Sequence, residues 1–112
     1  MAGTPFRDGP DFVAVAVANI YVPAAGTYAL VRHIHIANTN AASRTLALYV
    51  GATGGSANGT ELCEGKVIPL NDVYELYFPS GLKLTSADFL TGVSSVDGTS
   101  LVCTITGELY VV

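Results

Sequence analysis

The sequence predicts an all-β fold, a single-domain antiparallel β-sandwich of jelly-roll type with about eight strands, and three observations predict it. Apolar residues alternate with small or polar ones over short runs rich in Val, Ile, Leu and Tyr, which is the period of a strand. Clusters of Gly, Pro, Asn and Asp interrupt those runs at short intervals, as in sandwiches and barrels. No window carries the periodicity of an amphipathic helix, and no segment repeats at a fixed spacing. The 112 residues suit one domain, with an extended N-terminal arm over residues 1–11 and the sandwich over residues 12–112.

The arm holds Gly3, Pro5, Arg7, Asp8, Gly9, Pro10 and Asp11 around one aromatic residue, Phe6. It reads either as a disordered terminus or as an anchor that docks Phe6 and Arg7 on a neighbouring subunit. The run from Phe12 to Val22 puts Val13, Val15 and Val17 on one face and Ala14, Ala16 and Ala18 on the other. With both faces apolar, such a strand is covered on both sides or offers its small-residue face to a partner chain. Pro23 to Gly26 forms a turn, with Pro23 presetting φ and Gly26 free to take a positive one.

Thr27 to Asn38 alternates Tyr28, Leu30, Arg32, Ile34 and Ile36 against Ala29, Val31, His33, His35 and Ala37. Arg32 breaks the apolar register and predicts a bulge or bend between Val31 and Ile34. Asn38 to Ser43 is a polar loop. Arg44 to Gly51 follows, with Leu46, Leu48 and Val50 inward and Thr45, Ala47 and Tyr49 outward. The glycine-rich stretch 51–60 is a surface loop; it has no Lys, so it is not a phosphate cradle, and Asn58-Gly59 is a turn.

Glu61 to Leu70 is the next strand. Val73 to Phe78 then points Tyr74, Leu76 and Phe78 inward, and Leu82 and Leu84 flank an exposed Lys83. Ser86 to Asp88 turns the chain into Phe89 to Val96. Asp97-Gly98 predicts a hairpin leading to Leu101–Val112, where Leu101, Cys103, Ile105, Leu109 and Val111 share a face.

Composition points to assembly. Only 12% of residues are charged and 50% are hydrophobic, against about a quarter charged in ordinary soluble domains. A domain this small cannot hide that much apolar surface in one core, so other chains are expected to cover it, and the protein is expected to be a homo-oligomer. The net charge is −4, and Arg7, Arg32, Arg44, Lys66 and Lys83 are scattered, which excludes the basic stripe a nucleic acid needs. The uncharged stretch Phe12 to Val31 has the length of a bilayer-spanning helix. Asn19, Pro23, Gly26 and its β-formers argue against that reading, so no membrane partner is expected. Ala16-Val17-Ala18 looks like a signal-peptidase site, but the segment before it is acidic through Asp8 and Asp11 instead of basic. Cys63 and Cys103 are read as free thiols.

Few residues invite chemistry. His33 and His35 share a strand face close enough to hold one metal ion. Their spacing matches the His-x-His of cupins, yet the glutamate expected three or four residues on is absent, Thr39 standing there, and there is no further histidine. No metal and no cofactor are therefore expected; the pair reads as surface or interface histidines, which at a subunit contact would make assembly sensitive to mildly acidic pH. Glu61, Glu64, Asp72, Glu75, Asp88, Asp97 and Glu108 read as solvated charges, and Cys103 sits on an apolar face, a poor place for a nucleophile. No catalytic residue is assigned, and the protein is expected to be non-enzymatic. Tyr21, Tyr49, Tyr77 and Tyr110 point outward, suiting a protein interface or a sugar-binding shelf. The expected interface set is Phe6, Arg7, His33, His35, Tyr49, Tyr77 and Tyr110.

Ile20-Tyr21-Val22-Pro23-Ala24-Ala25-Gly26-Thr27, running into Leu30 to Ala37 and Asn38-Thr39-Asn40, resembles a pattern frequent in small tailed-bacteriophage virion proteins. The similarity extends through Leu46 to Val50 and Ser80 to Leu84. The resemblance implies a virion β-sandwich that decorates the capsid or forms part of the tail; the first expectation is a capsid decoration or minor capsid protein, homotrimeric, bound to the major capsid shell and assembled in the host cytoplasm. The alternative it leaves is a tail or fibre module that binds host-surface carbohydrate through outward tyrosines and the 51–60 loop.

Overall fold

In the computed structural model, which describes residues 3–51 and 61–112, eight strands form two antiparallel sheets. They are β1 (Thr4–Phe12), β2 (Ala18–Tyr21), β3 (Thr27–Asn38), β4 (Arg44–Gly51), β5 (Glu61–Ile68), β6 (Val73–Thr85), β7 (Phe89–Ser94) and β8 (Leu101–Val111). One sheet has the order β1-β8-β3-β6 and the other β2-β7-β4-β5. Only β4 and β5 are neighbours in both sequence and sheet. All remaining connections cross from one sheet to the other, the two-sheet arrangement of an eight-stranded jelly roll.

The core is the apolar layer between the sheets. Val31, Ile34, Ile36, Leu84, Leu101, Cys103 and Ile105 from the first sheet meet Leu46, Leu48, Ile68 and Leu90 from the second, all buried. Alternation supplies these positions strand by strand, and the filled layer leaves no cavity among the described residues.

The bulge expected near Arg32 is present. In β3 the register shifts between Val31 and His33 against both β8 and β6, so Arg32 and His33 both lie on the outer face between buried Val31 and Ile34. Arg32 reaches across two strands: its guanidinium bonds both carboxylate oxygens of Glu108 at 3.0–3.2 Å and donates to the carbonyl of Pro79 at 2.8 Å.

Four expectations are corrected. The segment read as an extended arm, either disordered or docked on a neighbouring subunit, is laid on its own sheet, with β1 pairing β8 from Thr4↔Leu109 to Phe12↔Val102; Pro5 and Pro10 are tolerated because β1 is an edge strand. The single strand expected over Phe12–Val22 is split. Residues 13–17 form the corner between the sheets, leaving Val13 buried and Val15 and Val17 exposed.

Asp97-Gly98 makes no hairpin, since β7 and β8 belong to different sheets. Asp97 instead shapes a crossover loop, accepting from the Thr99 amide (3.0 Å) and the Ser100 hydroxyl (2.6 Å) and pairing with Arg44 at 3.2 Å. These contacts, the Ser100 bond foremost, hold its carboxyl down at about 2. Finally, Tyr49 does not face outward but is 7% exposed. It lies in a central strand, flanked by β7 and by a β5 whose register shifts at Leu46/Leu48 and Leu48/Tyr49.

Edge placement gives β1 one unfavourable feature. Asp8 stands opposite Ile105, whose side chain points into the core, so the Asp8 carboxyl is turned inward and its Oδ2 makes no hydrogen bond. Burial first, then a hydrogen bond and charge from Asp11, raise its pKa to about 6. The folded state therefore binds this proton more tightly than the unfolded chain, and the Asp8 contribution to stability grows as pH falls from about 7 toward 4. Asp8→Asn is expected to raise the melting temperature at pH 7 and to narrow the gain on acidification to pH 5. Equal melting temperatures for both proteins at pH 7 would contradict this.

Candidate functional site

The outer face of the β1-β8-β3-β6 sheet collects polar and aromatic side chains from all four strands. Register places Arg7, Thr106, His33 and Tyr77 in one row across it, and Thr104, His35 and Glu75 in the next. Beyond the Arg32–Glu108 pair, Tyr28 and Tyr110 stack at 4.9 Å, with the Lys83 ammonium 4.6 Å over the Tyr28 ring. Five of the expected interface residues, Arg7, His33, His35, Tyr77 and Tyr110, thus belong to one face of one sheet.

The other two do not. Phe6 is half-buried, packs against the core and stacks on Tyr21 at 5.4 Å, while Tyr49 is enclosed in the opposite sheet. Of the four tyrosines expected to form an outward shelf, only Tyr77 is largely exposed, at 65%. The 52–60 part of the glycine-rich loop, with Asn58-Gly59, lies outside the described residues.

The densest chemistry is around Glu75. Its Oε1 lies 3.1 Å from His35 Nδ1 and 3.2 Å from His33 Nε2, and its Oε2 accepts from the Tyr77 hydroxyl at 3.2 Å. The hydrogen bond to His35 is the main cause of a lowered Glu75 pKa, with Tyr77 and the charge of the two histidines adding to it against partial burial. The Tyr77 ring also lies flat on His33, with centroids 4.4 Å apart and planes 12° off parallel. The contact to His33 lacks hydrogen-bond geometry, and His33 Nε2, shut off from solvent, has no hydrogen-bond partner.

Glu75 reads from sequence as a solvated charge, yet it is the third member of this cluster. The signal that could have found it is the matching alternation His33-x-His35 and Glu75-x-Tyr77, which becomes meaningful once β3 and β6 are known to pair.

The thiols are unsuited to nucleophilic chemistry. Both cysteines are free. Burial, reinforced by Asp8 and Asp11, pushes Cys103 up to about 12, and burial raises Cys63 as well, so neither is a thiolate at neutral pH.

Among the described residues, seven large exposed apolar side chains gather at one end of the sandwich. Phe12, Val15 and Val17 lie at the β1–β2 corner, Val67, Leu70 and Val73 around the β5–β6 turn, and Val96 in the β7–β8 crossover. Backbone bonds tie these connections together: Ser94 donates to Ala14 at 2.8 Å, Asn38 to Asp72 at 2.9 Å and Thr39 to Ser100 at 2.8 Å.

No protein-family model matches the chain, and no curated protein matches it either. The chain is similar, at low TM-score, to several solved structures, two of which are viral. One is the structure of infectious bursal disease virus, Gt strain, with 10% identity and a TM-score of 0.41 over 97% of this chain and 30% of that one. The other is a pentameric capsid protein isolated from metagenomic phage sequences, with 18% identity and a TM-score of 0.36 over 93% of this chain and 58% of that one. The chain spans less than two thirds of either, and a likeness of this degree identifies no family.

Proposed function

We propose that this chain is a non-enzymatic structural subunit of a virus particle, a capsid decoration or minor capsid protein that assembles with copies of itself and with the major capsid shell. The observation that carries the reading is the apolar end of the sandwich. Val15, Val96, Leu70 and their neighbours come from three connections far apart in sequence, and burying them against another chain stabilises an assembly by roughly 25 cal/mol per Å². Isolated exposed apolar residues are ordinary, whereas a gathered group marks an interaction surface. The jelly roll is a recurrent capsid architecture, though a fold alone carries no function. The resemblance of the Ile20–Asn40 pattern to small phage virion proteins supports the particle, and a trimer assembled in the host cytoplasm is part of the proposal.

The double substitution Val15→Lys with Val96→Lys tests the reading. Both side chains are exposed, so the fold should persist by circular dichroism while gel filtration shifts toward the monomer. A variant that elutes with the native protein would remove this end from the interface.

A further inference from the structure

We propose that His33 Nε2, His35 Nδ1 and Glu75 form a three-ligand site for a zinc-class divalent transition ion on the outer face of the β1-β8-β3-β6 sheet. The donor atoms already converge: all three lie within 4.8 Å of one another, and the carboxylate oxygen is 3.1 and 3.2 Å from the two ring nitrogens. Ligands bound about 2.0–2.2 Å from one such tetrahedral ion stand about 3.3–3.6 Å from each other, near the spacings already present around Glu75, so an ion seated between them asks for side-chain rotation. Two imidazoles and one carboxylate are a donor set that borderline ions prefer over calcium or magnesium, which take oxygen.

Two further observations separate this cluster from a simple ion pair. His33 Nε2 is enclosed and makes no hydrogen bond, although Glu75 Oε1 is within charge-pairing distance; an ion would supply the missing partner. Tyr77 acts as the supporting group, since its hydroxyl holds Glu75 Oε2 and leaves Oε1 to the histidines, while its ring fixes His33 by stacking. The sheet provides three ligands only, and the remaining coordination positions open outward. The site is on the surface of the sheet and not in the space between the sheets, which the core side chains fill.

The test is calorimetric titration of the untagged full chain with zinc chloride, and in parallel with calcium and magnesium chloride. The expected result is saturable zinc binding at one ion per chain, with no saturable calcium or magnesium binding. Glu75→Gln, at an exposed position, and His35→Ala, at a half-buried one, should each weaken zinc binding roughly tenfold or more. Cys63 is the competing soft donor, so Cys63→Ser should leave the affinity unchanged. Cobalt(II) replacing zinc should give a visible spectrum without thiolate charge-transfer bands. Absence of saturable zinc binding up to about 1 mM, or binding that survives both ligand substitutions and disappears in Cys63→Ser, would overturn the proposal.

Discussion

Gly107→Ala is expected to cost about 3 kcal/mol or more, because it places a side chain where two backbones already touch. Gly107 stands in β8 opposite Val31, next to the β3 bulge. A Cβ there would strike the carbonyl oxygen of Leu30 and lie 3.0 Å from both the Leu30 carbonyl carbon and the Val31 Cα. Every obstacle is main chain, and β3 is held on its other side by β6, so the neighbour has nowhere to move. The damage should extend to the outer face, since the same bulge turns Arg32 toward Glu108 and His33 toward Glu75.

Gly26→Ala is the natural comparison. Gly26 has φ +81° with nothing within 4 Å of an added Cβ, so that change brings backbone strain alone, of about 1 kcal/mol. Urea unfolding of the two variants decides the matter: equal losses would show that the close approach at Gly107 is relieved without cost.

Asn38→Asp should be comparably severe at neutral pH, by about 3 kcal/mol or more. Asn38 is 2% exposed. Its amide nitrogen donates to the carbonyls of Ala42, Ile68 and Pro69 at 2.9, 3.0 and 3.2 Å, and its oxygen accepts from the Asn40 amide at 2.9 Å. One side chain thereby ties the end of β3 to the β3–β4 loop and to the β5–β6 turn. Aspartate would face three carbonyl oxygens with a carboxylate and no donor.

The pH dependence separates lost hydrogen bonds from buried charge. Such an aspartate has its pKa raised in the folded state, so the variant regains part of its stability as pH falls through that value. Asn38→Ala loses the bonds but introduces no charge, and its deficit of about 1–3 kcal/mol relative to the native protein should not shrink in the same way. Parallel pH profiles for the two variants would contradict this account of Asn38.

These residues also show which parts of the molecule can be read from its sequence. Period-two alternation reports which side of a strand is buried, and it located the inward face of β8 and the break at Arg32, while in β3 the bulge puts Ala29 and Val31, not Tyr28 and Leu30, on the buried side with Ile34 and Ile36. It does not report which sheet a strand enters. Asp97-Gly98 has hairpin chemistry, yet Asp97 is drawn toward Arg44 and the chain crosses between sheets. The apolar alternation through residues 13–17 is equally compatible with a strand, and only the need for a corner between β1 and β2 exposes Val15 and Val17.

Pairing between distant strands was the missing information at the outer face as well. His33 and His35 were legible as a pair, whereas Glu75 and Tyr77 join them only through the β3–β6 register. Tyr49 failed for a related reason, because alternation assumes one wet face and a central strand can be covered on both. The Asn38-Thr39-Asn40 part of the phage-like pattern proves to be a set of structural fasteners, with Thr39 bonded to Ser100 and Asn40 capping Ala42.

Neighbouring chains are proposed to cover the apolar end of this sandwich. Sedimentation equilibrium of the untagged native protein tests it most directly. At about 10 µM and above, the expected mass is a multiple of 11.6 kDa and falls on dilution or in the Val15→Lys, Val96→Lys protein. A single 11.6 kDa species throughout that range would contradict it.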